Sequence, residues 1–551
     1  MIKTRIKEIV DRCFQEGVAR QYWSADAAGS YAVEQPKREG QGDLATNLAM
    51  VVAGREKKNP RLIAAQLVEL LAECPLLDKV EVAGPGFVNF FVKQAVWQSV
   101  LAEVCRQDQG FGLTEAGAGK RVLVEFVSAN PTGPLSVGHG RQAVLGDAIC
   151  RLLAATGHQV TREYYYNDAG RQMRVLAQSV RARYLELLGE EGHFPEDGYQ
   201  GDYIVAIAKD LLAEHGPALR QQEDLAPFKA KAEQAIFADI NGTLERLDIH
   251  FDNYYNEHSL YDDGHIDDVV AQLRAKGLVY DQDGAVWFKT SELGLDQDRV
   301  IIKSTGEPTY RLPDIAYHRE KFKRGFDWMV NVFGSDHIAT VPDVLAGVRA
   351  LGYDDRKVTV VMHQFVTLMR DGKQVKMSTR KATFVTVDEL LAEVGADVVR
   401  FFFLMRKADS QLEFDLGLAT QQSQENPVYY VQYAHARLCS ILRQAGDRGL
   451  DLGGIDQARV ELLAEPEELD LLKEMAAYPE LVHSAACELA PHRIIFYLQD
   501  LAGKFHSYYN KHRVLSDDLP LTQVRLWLIN GLRMVVRNGL VLIGVKAPET
   551  M

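Results

Sequence analysis

Cysteine is scarce in this chain: six residues in 551, Cys13, Cys74, Cys105, Cys150, Cys439 and Cys487, with no CxxC pair among them. That scatter has neither the ligand spacing of a zinc site nor the look of a disulfide framework, so no structural metal is expected. Long apolar runs are missing as well; nothing approaches the roughly 20 residues that cross a bilayer, and no membrane partner is expected. No leader is expected in the first twenty residues. Ile2, Ile6, Ile9, Val10 and Phe14 fall at helical spacing with Glu8, Asp11 and Glu16 between them, which reads as a helix rather than a secretory signal or an acid-poor transit peptide, and a cytoplasmic protein is the expectation. Cations are in the minority, 62 Lys and Arg against 76 Asp and Glu for a net −14, which argues against nucleic-acid binding over the whole surface and leaves only local patches. A P-loop is excluded too, because Gly119-Lys120 has Thr114 where the first glycine belongs and Arg121 after the lysine.

What is present is an alternation of strand and helix. Val122, Val124 and Phe126 sit in a mostly apolar run suited to a strand buried on both faces of a parallel sheet. A Gly/Pro-rich loop, 128–134, cannot continue it. After Gly140, Val144, Leu145, Ala148, Ile149, Leu152 and Leu153 recur at helical spacing, and Gly157 stands where a helix would be capped. In a strand–loop–helix unit the helix N-terminus faces the crevice beyond the strand's carboxyl end and can hold an anion. Gly138 and Gly140 would let a ligand approach the backbone there, and His139 adds a donor. Packing glycines and an ordinary satisfied histidine explain that segment equally well on its own.

Two later segments point to the same crevice. Lys376-Met377-Ser378-Thr379-Arg380 follows the strand-like Thr359–Met362 and an Asp371-Gly372-Lys373 turn, where cations could neutralise a polyphosphate. Gly334-Ser335-Asp336-His337 follows the apolar run ending at Phe333, so Asp336 could accept ribose hydroxyls and His337 could meet adenosine or phosphates. The alternative is that Ser335 or Asp336 caps the next helix.

Together, Ser136–Gly140 and Lys376–Arg380 resemble the HIGH and KMSKS sequences of class I aminoacyl-tRNA synthetases. Ser128-Ala129-Asn130-Pro131-Thr132-Gly133-Pro134-Leu135, Val137-Gly138-His139-Gly140-Arg141, Tyr164–Gly170, Arg400–Arg406 and Asn426–Arg437 resemble the arginyl-tRNA synthetases more narrowly. The likeness runs from Gly42-Asp43-Leu44-Ala45-Thr46-Asn47 to Ala547-Pro548-Glu549. Two departures stand out: Ser136 replaces the first histidine of HIGH, and Thr379-Arg380 replaces the last lysine-serine.

The resemblance implies an arginine–tRNA ligase that uses ATP with magnesium, L-arginine and an arginine-accepting tRNA, and works as a monomer. It implies His139, Lys376 and Ser136 in catalysis, and Gly138, His139, Gly140, Asp336, His337, Lys376, Met377 and Ser378 around ATP. Glu125, Ser128 and Asn130 would hold the amino acid's ammonium and carboxylate end. Tyr310, Asp314 and Glu257 would receive its side chain, since a planar guanidinium pairs best with carboxylates. By composition alone, Asp314 reads better as a helix cap. Phe87, Asn89, Tyr429 and Arg437 would touch tRNA by stacking and hydrogen bonding. Two other readings remain open: a catalytically impaired RNA-binding relative, supported by Ser136, and a small-molecule nucleotidyltransferase, which would have no need of the C-terminal helices.

The fold expected is α/β: a Rossmann-like parallel-sheet catalytic domain at 113–407 with an insertion at about 168–310, an N-terminal α+β domain at 1–112 and an all-α bundle at 408–551. The sheet strands are expected at Arg121–Val127, Gln159–Tyr166, Trp328–Phe333 and Lys357–Thr367. Two helices and the strands Lys79–Glu81 and Phe87–Val92 are expected in the first unit. From Leu501 to Met551, seven cations face three acids, a local +4 beside Phe505-His506, Tyr508-Tyr509 and His512, where bases could stack.

Overall fold

A computed structural model of the chain describes residues 2–36, 38, 40–375 and 385–551. Its centre is a five-stranded, wholly parallel sheet ordered Val358–His363, Trp328–Gly334, Arg121–Glu125, Gln159–Tyr166, Asn253–Asn256. Successive strands run outward from Arg121–Glu125 in one direction, and the later pair fills the other side. The order therefore reverses between Arg121–Glu125 and Trp328–Gly334, the place where open sheets of this kind bind ligands.

The expected Arg121–Val127 strand stops at Glu125 because Val127 and Ser128 take φ of +67° and +43°. A positive φ is strained for a β-branched residue, and it swings the following loop over the strand ends. The expected strand Lys357–Thr367 is two strands. Val358–His363 belongs to the central sheet, whereas Val366–Arg370 pairs antiparallel with Lys373–Gln374 and parallel with Leu412–Asp415. Between them Arg141 donates to the Gln364 carbonyl at 2.7 Å, and the Gln364 N–H bonds Ala408 instead of a sheet neighbour. Leu412–Asp415 also corrects the expectation that the chain is all-helical from residue 408.

The segment expected as one insertion is not continuous. Helices Gly170–Leu187, Asp202–His215 and Ala226–Arg246 leave the sheet, Asn253–Asn256 returns to it as the edge strand, and a small antiparallel sheet of Val279–Gln282, Ala285–Phe288 and Arg299–Ile302 follows. The first unit holds four α-helices rather than two. Ile2–Ala19 and Pro60–Leu71 are joined by Leu48–Glu56, too short and too uniformly apolar to show a period, and by Gln94–Gln107. Its sheet is antiparallel, ordered Val33–Glu34, Leu44–Thr46, Phe87–Val92, Leu77–Ala83.

Four long helices, Pro427–Asp447, Pro466–Cys487, His492–Lys511 and Leu519–Leu542, make the C-terminal bundle. Gln94–Gln107 docks on it: Gln98 donates to Leu463 O at 3.0 Å, Arg537 meets Asp108 at 2.6 Å, and Phe111 stacks on Tyr478. None of the helices in the described residues is long and apolar enough to cross a membrane.

Candidate active site

The helix Val137–Ala155 begins at the crevice with Ser136 as its N-cap. Ser136 Oγ accepts the His139 backbone N–H at 3.4 Å, and the Ser136 N–H donates to His139 Nδ1 at 3.3 Å. This reciprocal cap accounts for a serine where the family pattern has histidine. It also fixes the imidazole. With Nδ1 accepting, the neutral ring carries its proton on Nε2, leaving a donor for the crevice. Burial pushes the His139 pKa down, opposed by the Asp336 charge, so the ring works as a neutral donor rather than a cation.

The two glycines of this turn have different surroundings. A Cβ on Gly138 would meet only Ser136 Oγ at 3.7 Å, so the space beside it is open. A Cβ on Gly140 would lie 2.7 Å from Val387 and 3.1 Å from Phe403, and the Gly140 N–H already bonds Ser136 O at 2.9 Å. The missing side chain at Gly140 thus serves packing, and of the two glycines it is Gly138 that has open space beside it. The backbone at Thr386 bridges Ser136, and the Val387 N–H bonds Leu135 O, tying the chain just after residues 376–384 to this turn. Lys376, Met377 and Ser378, like Thr379 and Arg380, lie outside the described residues.

Across the switch point, Ser335–His337 forms a short turn after the Trp328–Gly334 strand. Asp336 and His337 side chains are exposed, and His337 stacks on Phe333. Neither Ser335 nor Asp336 caps the following helix Val341–Leu351, whose N-cap is Thr340, so the capping alternative falls.

Beside the sheet's other face three carboxylates converge. Glu125, on the strand end, is buried and bonds Lys321 Nζ at 2.5 Å and Ser128 Oγ at 3.2 Å. Glu257 accepts from Tyr165 at 2.8 Å and Asn167 at 2.7 Å. Asp314 lies in the first turn of helix Arg311–Lys323, makes no cap, and its carboxyl is pushed up to about 8 by burial, with Glu125 and Glu257 adding and Lys321 partly offsetting. The cap reading of Asp314 therefore fails. Tyr310 is 81% exposed and stands outside this cluster, and Asn130 spends its amide on Gln172 and the Asn167 N–H.

Sequence reading missed Lys321, His318 and Asn331. Asp314, His318 and Lys321 are i, i+4 and i+7 on one helix face, a period that could have found them. His318 donates from Nδ1 to Asp314 O at 2.7 Å and accepts from Asn331 on Nε2 at 2.8 Å; burial, with the Lys321 charge adding, pushes its pKa down to about 3 against the Asp314 carbonyl, so the ring is neutral. Lys321 also bonds Asn331 at 2.8 Å, so the buried lysine is held against Glu125 from two sides.

Away from the crevice, Phe87 is half-exposed but Asn89 is buried at 4% exposure, which leaves its amide little surface for a base. Tyr429 stacks on Tyr433, Tyr433 on His506, and the Arg437 guanidinium lies over Tyr509 at 4.8 Å. The local +4 is not a free patch. Lys504 pairs with Glu474 and Asp500, Lys511 with Glu467, Arg525 with buried Glu468, and Arg537 with Asp108.

A nucleotide-type crevice whose neighbour is a pocket short of positive charge narrows the field, and comparison with known proteins decides it. Three family descriptions match in order: "Arginyl tRNA synthetase N terminal domain" over residues 1–92, "tRNA synthetases class I (R), catalytic domain" over 101–401 and "DALR anticodon binding domain" over 431–551. The chain belongs to the arginyl-tRNA synthetases. It is 64% identical to an arginine–tRNA ligase of Desulfotalea psychrophila across 100% of both chains, and 52% identical to that of Salinibacter ruber over 94% of this chain and 95% of the relative. The arginyl-tRNA synthetase of Thermus thermophilus, 24% identical, shares the fold with a TM-score of 0.78 over 100% of each chain. The crevice and its side pocket are chemically distinct: a neutral imidazole donor at the helix end, carboxylates at the side.

Proposed function

We propose that the switch-point crevice binds ATP, as its magnesium complex, over the Ser136–Gly140 turn, and arginine with its guanidinium among Asp314, Glu257 and Glu125. As an arginine–tRNA ligase the enzyme forms arginyl-adenylate and pyrophosphate from arginine and ATP, then passes arginine to the 3′-terminal adenosine of tRNA. One observation carries the reading. Asp314 holds its proton to about pH 8 because it is buried, beside Glu125 and Glu257 with Lys321 only partly offsetting, and a guanidinium is the charge that would relieve it. Lys321 takes one Glu125 oxygen, so Glu125 and Ser128 are left to meet the substrate's ammonium end, with Asn130 beside them. Tyr310, at the rim, is available to cover the bound side chain.

In the first step an arginine carboxylate oxygen attacks the α-phosphorus in line, the bond to the β-phosphate breaks, and pyrophosphate leaves. In the second, the 2′-hydroxyl of the terminal adenosine attacks the adenylate carbonyl and AMP leaves. Neither step needs a covalent protein nucleophile. His139 Nε2–H, the amides at the helix N-terminus beside Gly138, and Lys376 with Met377 and Ser378 act on the developing phosphate charge, while Asp336 and His337 hold the nucleoside. Phe87 of the N-terminal domain (1–112), with the buried Asn89 on the same strand supporting it, and Tyr429 and Arg437 of the bundle (408–551), meet the tRNA. The enzyme works as a cytoplasmic monomer.

Arginine-dependent ATP–pyrophosphate exchange, run with lysine as the competitor, tests the reading. Exchange is expected with arginine only, because the trio recognises a fork rather than a point charge. Equal exchange with lysine would remove the carboxylates from the side-chain pocket.

A further inference from the structure

His363 ends the Val358–His363 strand, paired in register with Gly334 at the end of the neighbouring strand. It is 7% exposed, and its Nε2 is buried without a hydrogen-bond partner among the described residues. The tautomer follows from the other nitrogen. Nδ1 faces only the Gln364 carbonyl at 3.3 Å, so it carries the proton, and Nε2 is left as a lone pair. Arg141, donating to that same carbonyl at 2.7 Å, locks the strand end, and burial, with the Arg141 charge adding, opposes a second proton on the ring. Buried acceptors are ordinarily satisfied, and one that is not calls for an explanation.

The explanation lies in the space at Gly334. The point where a Cβ would stand there is 3.7 Å from His363 Nε2 and 2.5 Å from Asp336 Oδ1. Two acceptors, one a carboxylate and one an imidazole lone pair, therefore border one small gap, with no donor between them among the described residues. Gly334 has φ −68°, so its backbone does not need glycine; the gap does. A ribose cis-diol brings two adjacent O–H donors. The exposed Asp336 side chain covers the gap and is free to move as they enter.

We infer that His363 is a nucleotide-binding residue whose Nε2 accepts a ribose hydroxyl of ATP, with Asp336 accepting the other. This rests on the assignment of ATP to the switch-point crevice. The same lone pair would disfavour a nucleotide lacking that hydroxyl, because the acceptor would then stay buried and unmet.

Exchange kinetics with ATP, 2′-deoxyATP, 3′-deoxyATP and purine riboside triphosphate test it in the full chain. His363→Phe keeps the ring's shape and removes the acceptor; His363→Gln keeps an acceptor near the Nε2 position. Expected is a kcat/KM for ATP about tenfold lower in His363→Phe, with one deoxy analogue unaffected, so that the preference over that analogue vanishes, and its return in His363→Gln. An equal fall for ATP and both deoxy analogues would overturn the inference, as would a loss of preference over purine riboside triphosphate instead, which would put the acceptor on the base. Should His363→Phe fail to fold, Gly334→Ala decides, since its methyl fills the gap against a movable carboxylate: it must raise KM for ATP and erase the same preference, and an unchanged preference refutes the claim. Asp336→Asn separates the two readings. If it leaves both deoxy preferences at wild-type values while His363→Phe erases one, the Asp336 assignment fails and that of His363 stands.

Discussion

Asp314 and Ser136 are the residues at which the structure changes what a sequence could say. Asp314 looked like a cap, because an acid before Ile-Ala-Tyr at a helix start usually is one; only its tertiary neighbours, Glu125 and Glu257, show otherwise. Its folded pKa of about 8 lies above the unfolded value, so the folded chain holds a proton that the unfolded chain has released. The associated stability is fully present below about pH 4, the unfolded carboxyl range, and is lost as pH rises through 8. Asp314→Asn removes that dependence, so its melting temperature should exceed the wild type's by a margin that grows from pH 5 to pH 8. Arginine, which favours the ionised form, should release a proton on binding near pH 7 but not at pH 9. The Asn variant should bind it about 10- to 100-fold more weakly, from one lost charged hydrogen bond, with no proton release. Calorimetry in two buffers of different ionisation enthalpy reads both, and proton release unchanged in the variant would return Asp314 to the scaffold.

At Ser136 the hydroxyl caps the helix and also lies 3.3 Å from His139 Nδ1, but the Ser136 backbone N–H donates to that nitrogen at 3.3 Å too, a bond that alanine keeps. Ser136→Ala should therefore cost about 1 kcal/mol of helix stability and only a few-fold in adenylate formation. His139→Ala loses the Nε2 donor and should cost on the order of 10²-fold or more in single-turnover rate. Equal losses would make the serine hydroxyl a direct phosphate contact.

At the scale of elements, well-bounded segments were legible and interrupted ones were not. Gln159–Tyr166 and Phe87–Val92 were readable to the residue because each is a run rich in β-branched and aromatic residues bounded by Gly157 or by Gly84-Pro85-Gly86. Asn253–Asn256 was lost because a four-residue edge strand of Asn and Tyr shows too few alternations to be distinguished from loop, and Leu412–Asp415 because its strict alternation lasts only four residues between helices. The split at Gln364 follows from a guanidinium 223 positions away, which no local window contains. Local pattern also failed to separate the two turn glycines. Gly138→Ala, with open space beside it, should melt like wild type, and a raised KM for ATP would be the mark of a ligand against that backbone. Gly140→Ala drives a methyl into Val387 and Phe403 and should cost about 1–3 kcal/mol by overpacking. Thermal melts beside ATP titrations distinguish them, and a wild-type melt for Gly140→Ala would contradict its packing role.

For the whole molecule, a net charge of −14 and a polyanionic partner mean that contact with tRNA has to be local, and the bundle's cations are mostly committed to internal acids. One buried side chain ties the bundle to the catalytic domain beside the packed helix faces and the Asp397 bonds to Gln432 and the Lys546 N–H. Arg400 is 1% exposed; it donates twice to Ile543 O at the end of the bundle's last helix, once to Leu247 O after helix Ala226–Arg246, and pairs with Asp147 two turns along from His139. Gly544 permits this approach, with φ +70° and a Cβ position 2.1 Å from the guanidinium. Removing the cation leaves Asp147, already shared with Arg151 and Arg162, less compensated, and strands three carbonyl bonds. Arg400→Met should cost about 3–5 kcal/mol, appearing as earlier melting of the bundle against the sheet. Gly544→Ala should do the same by displacing the guanidinium, and because both act on one contact the double variant should lose less than the two single losses combined. Additive losses would mean that Gly544 matters for its backbone alone, and that the bundle is held to the sheet by its apolar interface rather than by this knot.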